Sequence, residues 1–232
     1  MSFGNIPLFL QKQIKFEDYK IDTLKTKLKE YNLCITGNVG VGKSTTLEFI
    51  KIILNLNNIN TKLFPEYLQN ETGKIMFEFV NTGRISKIVF QNYILDNWVQ
   101  LYQDNKHTSS NYLRINLYER YPEDCVKCFG KISLDQTDYD YLLKRYNKFK
   151  KEYDFIEYSS SEIEDIENDK LDETLHKIID IINEDLKNNI KNRVIKLTLE
   201  DSLNEERIKQ RGRDNETKEL NYDIIKYYDD LK

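Results

Sequence analysis

The chain has 232 residues with a net charge of −4, and 39% of its residues are hydrophobic. This length fits one large α/β domain or two small ones, and the slightly acidic balance argues against a basic surface for nucleic acid. The three cysteines are too few for a disulfide framework. There is no basic leader with a cleavage site, and no apolar run approaches the roughly 20 residues that span a bilayer. We therefore expect a cytoplasmic protein with no membrane partner.

Helical and strand patterns alternate along the chain. Apolar residues three and four positions apart predict helices over 16–31, 43–56, 72–103 with a break at Gly83, 121–130, 135–150, 171–189 and 221–231. Short apolar or alternating runs predict strands over 33–36, 61–66, 112–120, 153–160 and 194–199. The acidic stretch 159–170 is poor in apolar groups and predicts a solvated loop. Because strands alternate with helices, we expect an α/β fold with a parallel sheet covered on both faces, in a single domain over 1–232.

A glycine-rich segment lies between the predicted strand 33–36 and the predicted helix 43–56. Its sequence, GNVGVGKS, fits the pattern G-x-x-x-x-G-K-[ST] of a phosphate-binding loop. Three of the chain's eight glycines fall in this register, which argues against a chance glycine turn. Lys43 is expected to reach the β- and γ-phosphates of a nucleotide, and Ser44 to bind Mg²⁺. The nucleotide-binding residues predicted here are Gly37, Asn38, Val39, Gly40, Val41, Gly42, Lys43, Ser44 and Thr45.

A carboxylate follows the second predicted strand at once, because Pro65 ends that strand and Glu66 comes next. Ligands of open α/β sheets bind beyond the carboxyl ends of the strands. An alcohol that attacks a phosphate must lose a proton, so a nearby carboxylate is useful, whereas a nucleoside monophosphate acceptor needs an arginine. In a protein with a phosphate-binding loop, we therefore interpret Glu66 as a catalytic base for a hydroxyl acceptor rather than as a solvated surface residue.

Three arginines form a compact basic cluster late in the sequence. Arg207 and Arg211 share one helical face, and Gly212 allows Arg213 to turn inward. Such a cluster, within a segment over 205–216, could close over ATP as a lid and neutralise charge on the transferred phosphoryl group. The alternative interpretation is a solvated basic helix end.

The ordered set of motifs resembles the deoxyribonucleoside kinase family, which includes cellular and viral thymidine and deoxycytidine kinases. The matching segments, in family order, are GNVGVGKST, FPE, FQNY (90–93), ER (119–120) and RIKQRGR followed by Glu216. The resemblance implies a three-layer P-loop kinase fold with a parallel sheet of about five strands and a lid. It also implies ATP and Mg²⁺ as cofactors and a homodimer that phosphorylates the 5′-hydroxyl of a deoxyribonucleoside. On the same resemblance, the protein is expected in the cytoplasm, or in the host cytoplasm if it is viral.

The resemblance also implies a role for each matching residue. Glu66 is then the base on the 5′-hydroxyl, and Gln91 pairs with the nucleobase through two hydrogen bonds. Glu119 supports Mg²⁺, and Arg120 helps to fix the base and the phosphate. The lid residues, which contact ATP and the sugar hydroxyl, are Arg207, Arg211, Arg213 and Glu216.

The base preference is predicted from two positions. Family members that take deoxycytidine or purines resemble one another in carrying an Arg–Asp pair in the base pocket, and a count without gaps places Trp98 and Cys125 there. This favours thymidine or another pyrimidine as the substrate. A one-residue gap would instead place Asp124 in the pocket.

Two other functions compete with that of a deoxynucleoside kinase. A thymidylate-type monophosphate kinase is similar in fold and has a DRY motif that Glu119-Arg120-Tyr121 resembles. Those enzymes carry an arginine shortly after the FP dipeptide, and none stands there in this chain. A non-catalytic nucleotide-binding protein is disfavoured by the complete set of motif residues.

Residues 153–189 read as an atypical strand–loop–helix insertion before the predicted strand 194–199. Family members usually finish with one more strand and helix after the lid, and this chain stops short of that pair. We therefore predict that YDFIEYSS (153–160) takes the edge position of the family's last strand.

Overall fold

The computed structural model describes residues 14–67, 70–105, 112–200 and 218–230. The chain divides into two compact units. Of the described residues, unit 1 comprises 14–64, 112–119 and 161–200, and unit 2 comprises 65–67, 70–105, 120–160 and 218–230. The single domain predicted over 1–232 stays a prediction. No helix in the described part of the chain is both long enough and apolar enough to cross a bilayer.

The helices and strands follow one another in an alternating order. The strands are β1 (Glu30–Gly37), β2 (Asn60–Phe64), β3 (Arg114–Glu119), β4 (Glu162–Glu167) and β5 (Asn192–Thr198). The helices are α1 (Lys43–Leu56), α2 (Glu71–Asn81), α3 (Lys87–Asn105), α4 (Phe129–Ser133), α5 (Gln136–Tyr153), α6 (Leu171–Asn188) and α7 (Lys218–Asp229).

Unit 1 is built around a five-stranded parallel sheet with the strand order β2-β3-β1-β5-β4. β1 lies at its centre, and Leu33 in the middle of this strand is fully buried. Helices α1 and α6 pack against each other, with Ile50 of α1 and Ile178 of α6 in the common apolar core. Gly37 and Glu119 end β1 and β3 at the carboxyl edge of the sheet, where ligands of such sheets bind. The predicted α/β fold with a parallel sheet of about five strands is confirmed.

Unit 2 is largely helical in its described residues. Gly83, with a φ of +69°, lies in the turn between α2 and α3, so the predicted break in the helical pattern is confirmed. Helix α3 packs against α5, where Arg145 donates hydrogen bonds to Asn92 and Asp96 of α3. Tyr146 of α5 is fully buried, and burial raises the pKa of its phenol.

The apolar spacing over 16–31 predicts a helix, and this prediction is wrong. The only helical turn there is a 3₁₀ turn at Phe16–Asp18. Three backbone N–H groups beyond that turn donate to asparagine side chains rather than to carbonyl groups one turn back. These bonds run from Ile21 to Asn57, from Asp22 to Asn183 and from Lys27 to Asn189. Because side chains distant in the sequence satisfy these donors, the segment has no need of helical hydrogen bonds.

The strand predicted over 153–160 is also wrong, since these residues lie outside the sheet. The segment instead makes hydrogen bonds with other residues of unit 2. Glu157 accepts hydrogen bonds from Tyr146 and from the ammonium groups of Lys127 and Lys150. The backbone N–H of Tyr158 donates to Glu123 at 2.8 Å. Side-chain partners thus take the place of a strand ladder, and they are not visible in a pattern of apolar residues.

The edge strand comes from the acidic stretch that predicts a solvated loop, so that prediction is wrong as well. β4 pairs in parallel with β5, and its register places Asp165 opposite Lys196. Ile166 is the buried residue within β4. An edge strand needs few apolar groups and often carries charges that discourage further pairing. The 153–189 insertion therefore supplies an edge strand, but not through the residues predicted to form it.

Candidate active site

The phosphate-binding loop of unit 1 has the strand–loop–helix setting that its motif predicts. It follows Gly37 at the end of β1 and ends where α1 begins at Lys43. Gly37, Gly40 and Gly42 have φ values of +125°, +90° and +95°, which favour glycine. A Cβ atom on Gly37 would lie 2.3 Å from the carbonyl oxygen of Leu197 in β5, so a side chain has no room there. The motif glycines are therefore required by the backbone itself.

Lys43 is held across this loop. Its ammonium donates to the carbonyl oxygen of Asn38 at 2.7 Å and to that of Gly37 at 3.3 Å, and the residue is only 6% exposed. The positive charge of the Lys43 ammonium is thus held next to the glycine-rich turn. Such a loop, followed by a helix N-terminus, is a setting that binds phosphate.

An oxygen pair next to the loop fits a magnesium ion. Ser44, in the first turn of α1, donates its hydroxyl to Oε1 of Glu119 at 2.8 Å, and Glu119 is buried at the end of β3. A hydroxyl and a carboxylate are hard oxygen ligands, the kind that Mg²⁺ takes together with water and phosphate oxygens. Within the described residues there is no cluster of three or more His, Cys, Asp or Glu side chains that could hold a metal without such help.

In unit 2, Glu66 is paired with Arg120. Oε1 of Glu66 accepts from Nη1 of Arg120 at 2.5 Å. The arginine side chain is 5% exposed, whereas that of Glu66 is 22% exposed. Nε of Arg120 donates to the hydroxyl of Tyr228 at 3.1 Å, and its guanidinium carbon lies 5.1 Å from the ring centre of Phe129. Arg120 therefore anchors the carboxylate while part of Glu66 stays open to solvent.

The backbone of Arg120 is itself unusual. Its φ is +66°, a left-handed conformation that non-glycine residues rarely adopt. Such a conformation persists only where surrounding contacts enforce it, and these are often found at functional sites. The bonds to Glu66 and Tyr228 and the contact with Phe129 are among the contacts that hold Arg120 in this conformation.

Asp124 is connected to Arg120 through a shared tyrosine. Its Oδ2 accepts from the hydroxyl of Tyr158 at 2.6 Å and from the backbone N–H of Tyr121 at 3.0 Å. Its Oδ1 accepts from the hydroxyl of Tyr228 at 3.3 Å, so one tyrosine links Asp124 to Arg120. Burial raises the pKa of Asp124 to about 7, although the hydrogen bond from Tyr158 and the charge of Arg120 act in the opposite direction. We call Glu66, Arg120, Tyr228, Asp124 and Tyr158 the arginine network.

Gln91 and Trp98 lie seven residues apart on α3 and so share one helical face. They are 5% and 6% exposed, and Oε1 of Gln91 is buried without a hydrogen-bond partner among the described residues. The ring of Phe90, next to Gln91, makes an edge-to-face contact with the ring of Tyr67 at 5.3 Å between centroids. Because Tyr67 follows Glu66, this contact brings the Glu66 segment and the Gln91 helix together within unit 2.

A sequence count pairs Trp98 with Cys125 or, after a one-residue gap, with Asp124 in the base pocket. In the structure, the polar groups of both residues are already engaged within the protein. Cys125 is buried, its thiol lies 2.9 Å from the carbonyl oxygen of Pro122, and burial raises its pKa. Asp124 is occupied by the tyrosine and backbone donors of the arginine network. The lid residues Arg207, Arg211, Arg213 and Glu216 lie outside the described residues.

The structure is similar to that of a deoxyadenosine kinase. That solved structure is of deoxyadenosine kinase from M. mycoides with bound dATP, at 20% sequence identity and a TM-score of 0.45, and the match covers 86% of this chain and 84% of that chain. No protein-family model and no curated protein matches the chain. The likeness concerns the fold alone, so the chemistry of the site follows from the contacts of its own residues.

Two members of the arginine network carry no signal in the sequence. Tyr228 lies in α7, more than 100 positions after its partners Arg120 and Asp124. Tyr158 belongs to the segment for which the pattern predicts a strand. The chain has 16 tyrosines, so spacing alone does not single out these two. The left-handed backbone of Arg120 also has no signal in the sequence, because the residue at that position is not a glycine.

The raised pKa of Asp124 predicts a measurable pH dependence of stability. Because its folded pKa of about 7 lies above the ordinary value near 3.9, the stability that Asp124 contributes is complete below pH 4 and is lost as the pH rises through 7. Asp124→Asn removes this titration. The free energy of unfolding of the variant, relative to wild type, is expected to rise between pH 4 and pH 8 by as much as about 4 kcal/mol.

Urea unfolding of both proteins across this range measures the difference. If the two curves of stability against pH stay parallel from pH 4 to pH 8, the pKa of Asp124 is not raised in the folded protein, and the prediction fails.

Proposed function

We propose that the protein transfers the γ-phosphoryl group of ATP to the 5′-hydroxyl of a deoxyribonucleoside. The observation that carries this proposal is the pairing of Glu66 with Arg120. An acceptor that already bears a phosphate needs a cation to bind it, and the guanidinium of Arg120 is engaged by Glu66 and Tyr228. A hydroxyl acceptor needs a carboxylate instead, and Glu66 is held in one position and partly exposed.

The phosphate-binding loop and the ends of β1 and β3 in unit 1 supply the main groups for the nucleotide. The backbone of the phosphate-binding loop and the ammonium of Lys43 hold the β- and γ-phosphates. The lid arginines over 205–216 contact ATP, as the resemblance to the kinase family implies. Ser44 and Glu119 hold Mg²⁺, which neutralises phosphate charge when it is bound.

Unit 2 supplies the groups for the acceptor. The nucleoside 5′-oxygen forms a bond to the γ-phosphorus as the bond to the bridging β–γ oxygen breaks, which leaves ADP. The proton of the hydroxyl passes to a carboxylate oxygen of Glu66 as the bond forms. Arg120 keeps that carboxylate in place through its hydrogen bond at 2.5 Å.

The nucleobase is assigned to Gln91 and Trp98. A buried amide oxygen without a partner is costly, and an N–H group of a base would satisfy the oxygen of Gln91. Trp98 offers an apolar wall on the same face of α3. Since Trp98 stands where an arginine would read cytosine or a purine, thymidine or another pyrimidine is the proposed substrate. Glu216 is proposed to reach the sugar hydroxyl, on the resemblance alone.

The runner-up is a thymidylate-type monophosphate kinase, and the motif Glu119-Arg120-Tyr121 favours it. Against it stand the absence of an arginine after the FP dipeptide and the engagement of Arg120 by Glu66. A non-catalytic nucleotide-binding protein stays a further alternative. A homodimer located in the cytoplasm, with no nucleic-acid partner, belongs to the same proposal.

An acceptor panel separates these functions. ADP release from MgATP is measured with thymidine, deoxycytidine, deoxyadenosine, deoxyguanosine, thymidylate or no acceptor. We expect turnover with at least one nucleoside, highest with a pyrimidine, and background rates with thymidylate. Turnover with thymidylate alone would establish the runner-up, and background rates throughout, with ATP still bound, would favour the non-catalytic alternative.

A further inference from the structure

Asn168 reaches the phosphate-binding loop from an element that the motifs do not include. It directly follows β4, the edge strand that the 153–189 insertion supplies. Its backbone N–H donates to the carbonyl oxygen of Thr198 at the end of β5, at 2.8 Å. Its side-chain Nδ2 donates to the carbonyl oxygen of Val41 at 2.5 Å. Because Val41 belongs to the phosphate-binding loop, one side chain ties this loop to the end of the sheet.

The other side-chain atom of Asn168 is unsatisfied. The residue is 5% exposed, and its buried Oδ1 accepts no hydrogen bond within the described part of the chain. Turning the amide over would set its oxygen against the carbonyl oxygen of Val41, so the assignment of the two atoms follows from the contact. Oδ1 of Asn38, in the same loop, is buried without a described partner as well. Buried polar atoms of this kind are rare in folded proteins and point to a ligand.

We propose that Asn168 is a residue of the nucleotide site, whose Nδ2 holds the phosphate-binding loop and whose Oδ1 accepts a hydrogen bond from bound ATP. This inference rests on the proposed use of ATP. An oxygen acceptor is repelled by phosphate oxygens, so its partner is an N–H or O–H group of the nucleoside part. ATP has three such donors, the 6-amino group, the 2′-hydroxyl and the 3′-hydroxyl.

Asn183 provides a matched control in the same unit. Its amide also ties backbone groups together, because it accepts from the N–H of Asp22 and donates to the carbonyl oxygen of Lys20, both at 2.9 Å. Both of its amide atoms are therefore satisfied within the protein. Calorimetric titration with MgATP is carried out on wild type, Asn168→Ala and Asn183→Ala. We expect the Kd of Asn168→Ala to rise about tenfold, as for a lost hydrogen bond, and that of Asn183→Ala to stay within about twofold.

Three analogues then test the acceptor role of Oδ1. Inosine triphosphate, 2′-deoxy-ATP and 3′-deoxy-ATP each lack one donor of ATP. The ratio of the variant Kd to the wild-type Kd is expected to be clearly smaller for the analogue that lacks the partner of Oδ1 than for ATP and the other two analogues. The same ratio for ATP and all three analogues would overturn the acceptor role.

The outcomes separate this inference from the proposed function. If wild type does not bind MgATP, both are overturned. If wild type binds and Asn168→Ala binds as tightly, the inference fails and the proposed function stands. A lower melting temperature of Asn168→Ala with an unchanged Kd, or an equal loss of affinity in Asn183→Ala, would show a merely structural role and would also overturn the inference.

Discussion

Glu66→Gln is expected to lower kcat by roughly 10²- to 10⁴-fold, the usual contribution of general base catalysis, while the Kd for MgATP stays unchanged. Glutamine keeps an oxygen that can accept from Arg120, so the pair retains one hydrogen bond, but the amide cannot take the proton of the 5′-hydroxyl. Single-turnover kinetics with saturating nucleoside measure the chemical step, and calorimetry measures ATP binding. In the folded variant, we therefore expect the chemical step to be slowed and ATP binding to be unaffected.

Glu78→Gln is the matched control for this variant. Glu78 is an exposed glutamate of α2 in the same unit, so the same substitution there is expected to leave kcat unchanged. Because Arg120 is buried, loss of the Glu66 charge also affects stability, and thermal unfolding of both variants defines a temperature at which each is folded. Near-wild-type turnover of folded Glu66→Gln would exclude Glu66 as the base.

Lys43→Met is expected to lower kcat/KM for ATP by roughly 10²- to 10³-fold, as does the loss of other groups that stabilise charge in the transition state. Methionine preserves most of the side-chain length but removes the ammonium that donates to Asn38 and Gly37. The phosphate oxygens then lose their fixed cation, whereas the nucleoside groups of unit 2 are untouched. The KM for the nucleoside at saturating ATP is therefore expected to stay close to that of wild type.

Lys51→Met, two turns further along α1, controls for the same chemical change. Lys51 is partly exposed and pairs with Glu48 at 3.7 Å, an interaction of the kind that contributes little. Steady-state kinetics of both variants give the comparison. An equal effect of both substitutions would show that Lys43 acts through helix stability rather than through phosphate.

The phosphate-binding loop could be predicted from sequence because its determinants are local. Gly37 and Gly42 are required by backbone conformation, and Lys43 and Ser44 follow within the same turn. Glu66 could be proposed because proline marks the end of β2 and the chain order of an α/β fold places the next residue beyond that strand.

The tyrosines of the arginine network and the hydrogen bond from Asn168 to the phosphate-binding loop could not be predicted, because they depend on contacts between distant parts of the chain. Asp124 meets Tyr228 over 104 positions, and Asn168 meets Val41 over 127. Recognition of Asn168 would also have required recognition of β4. That edge strand buries little besides Ile166, so its acidic sequence carries almost none of the apolar pattern by which strands are found.

The position of the transferred phosphate tests the proposed reaction most directly. Purified protein is incubated with MgATP and with the best nucleoside of the acceptor panel, and the product is followed by ³¹P NMR and mass spectrometry. The proposed reaction predicts a deoxynucleoside 5′-monophosphate formed in equal amount to ADP, with no conversion of added thymidylate to its diphosphate. Conversion of thymidylate to its diphosphate, with no phosphorylated nucleoside formed, would contradict it.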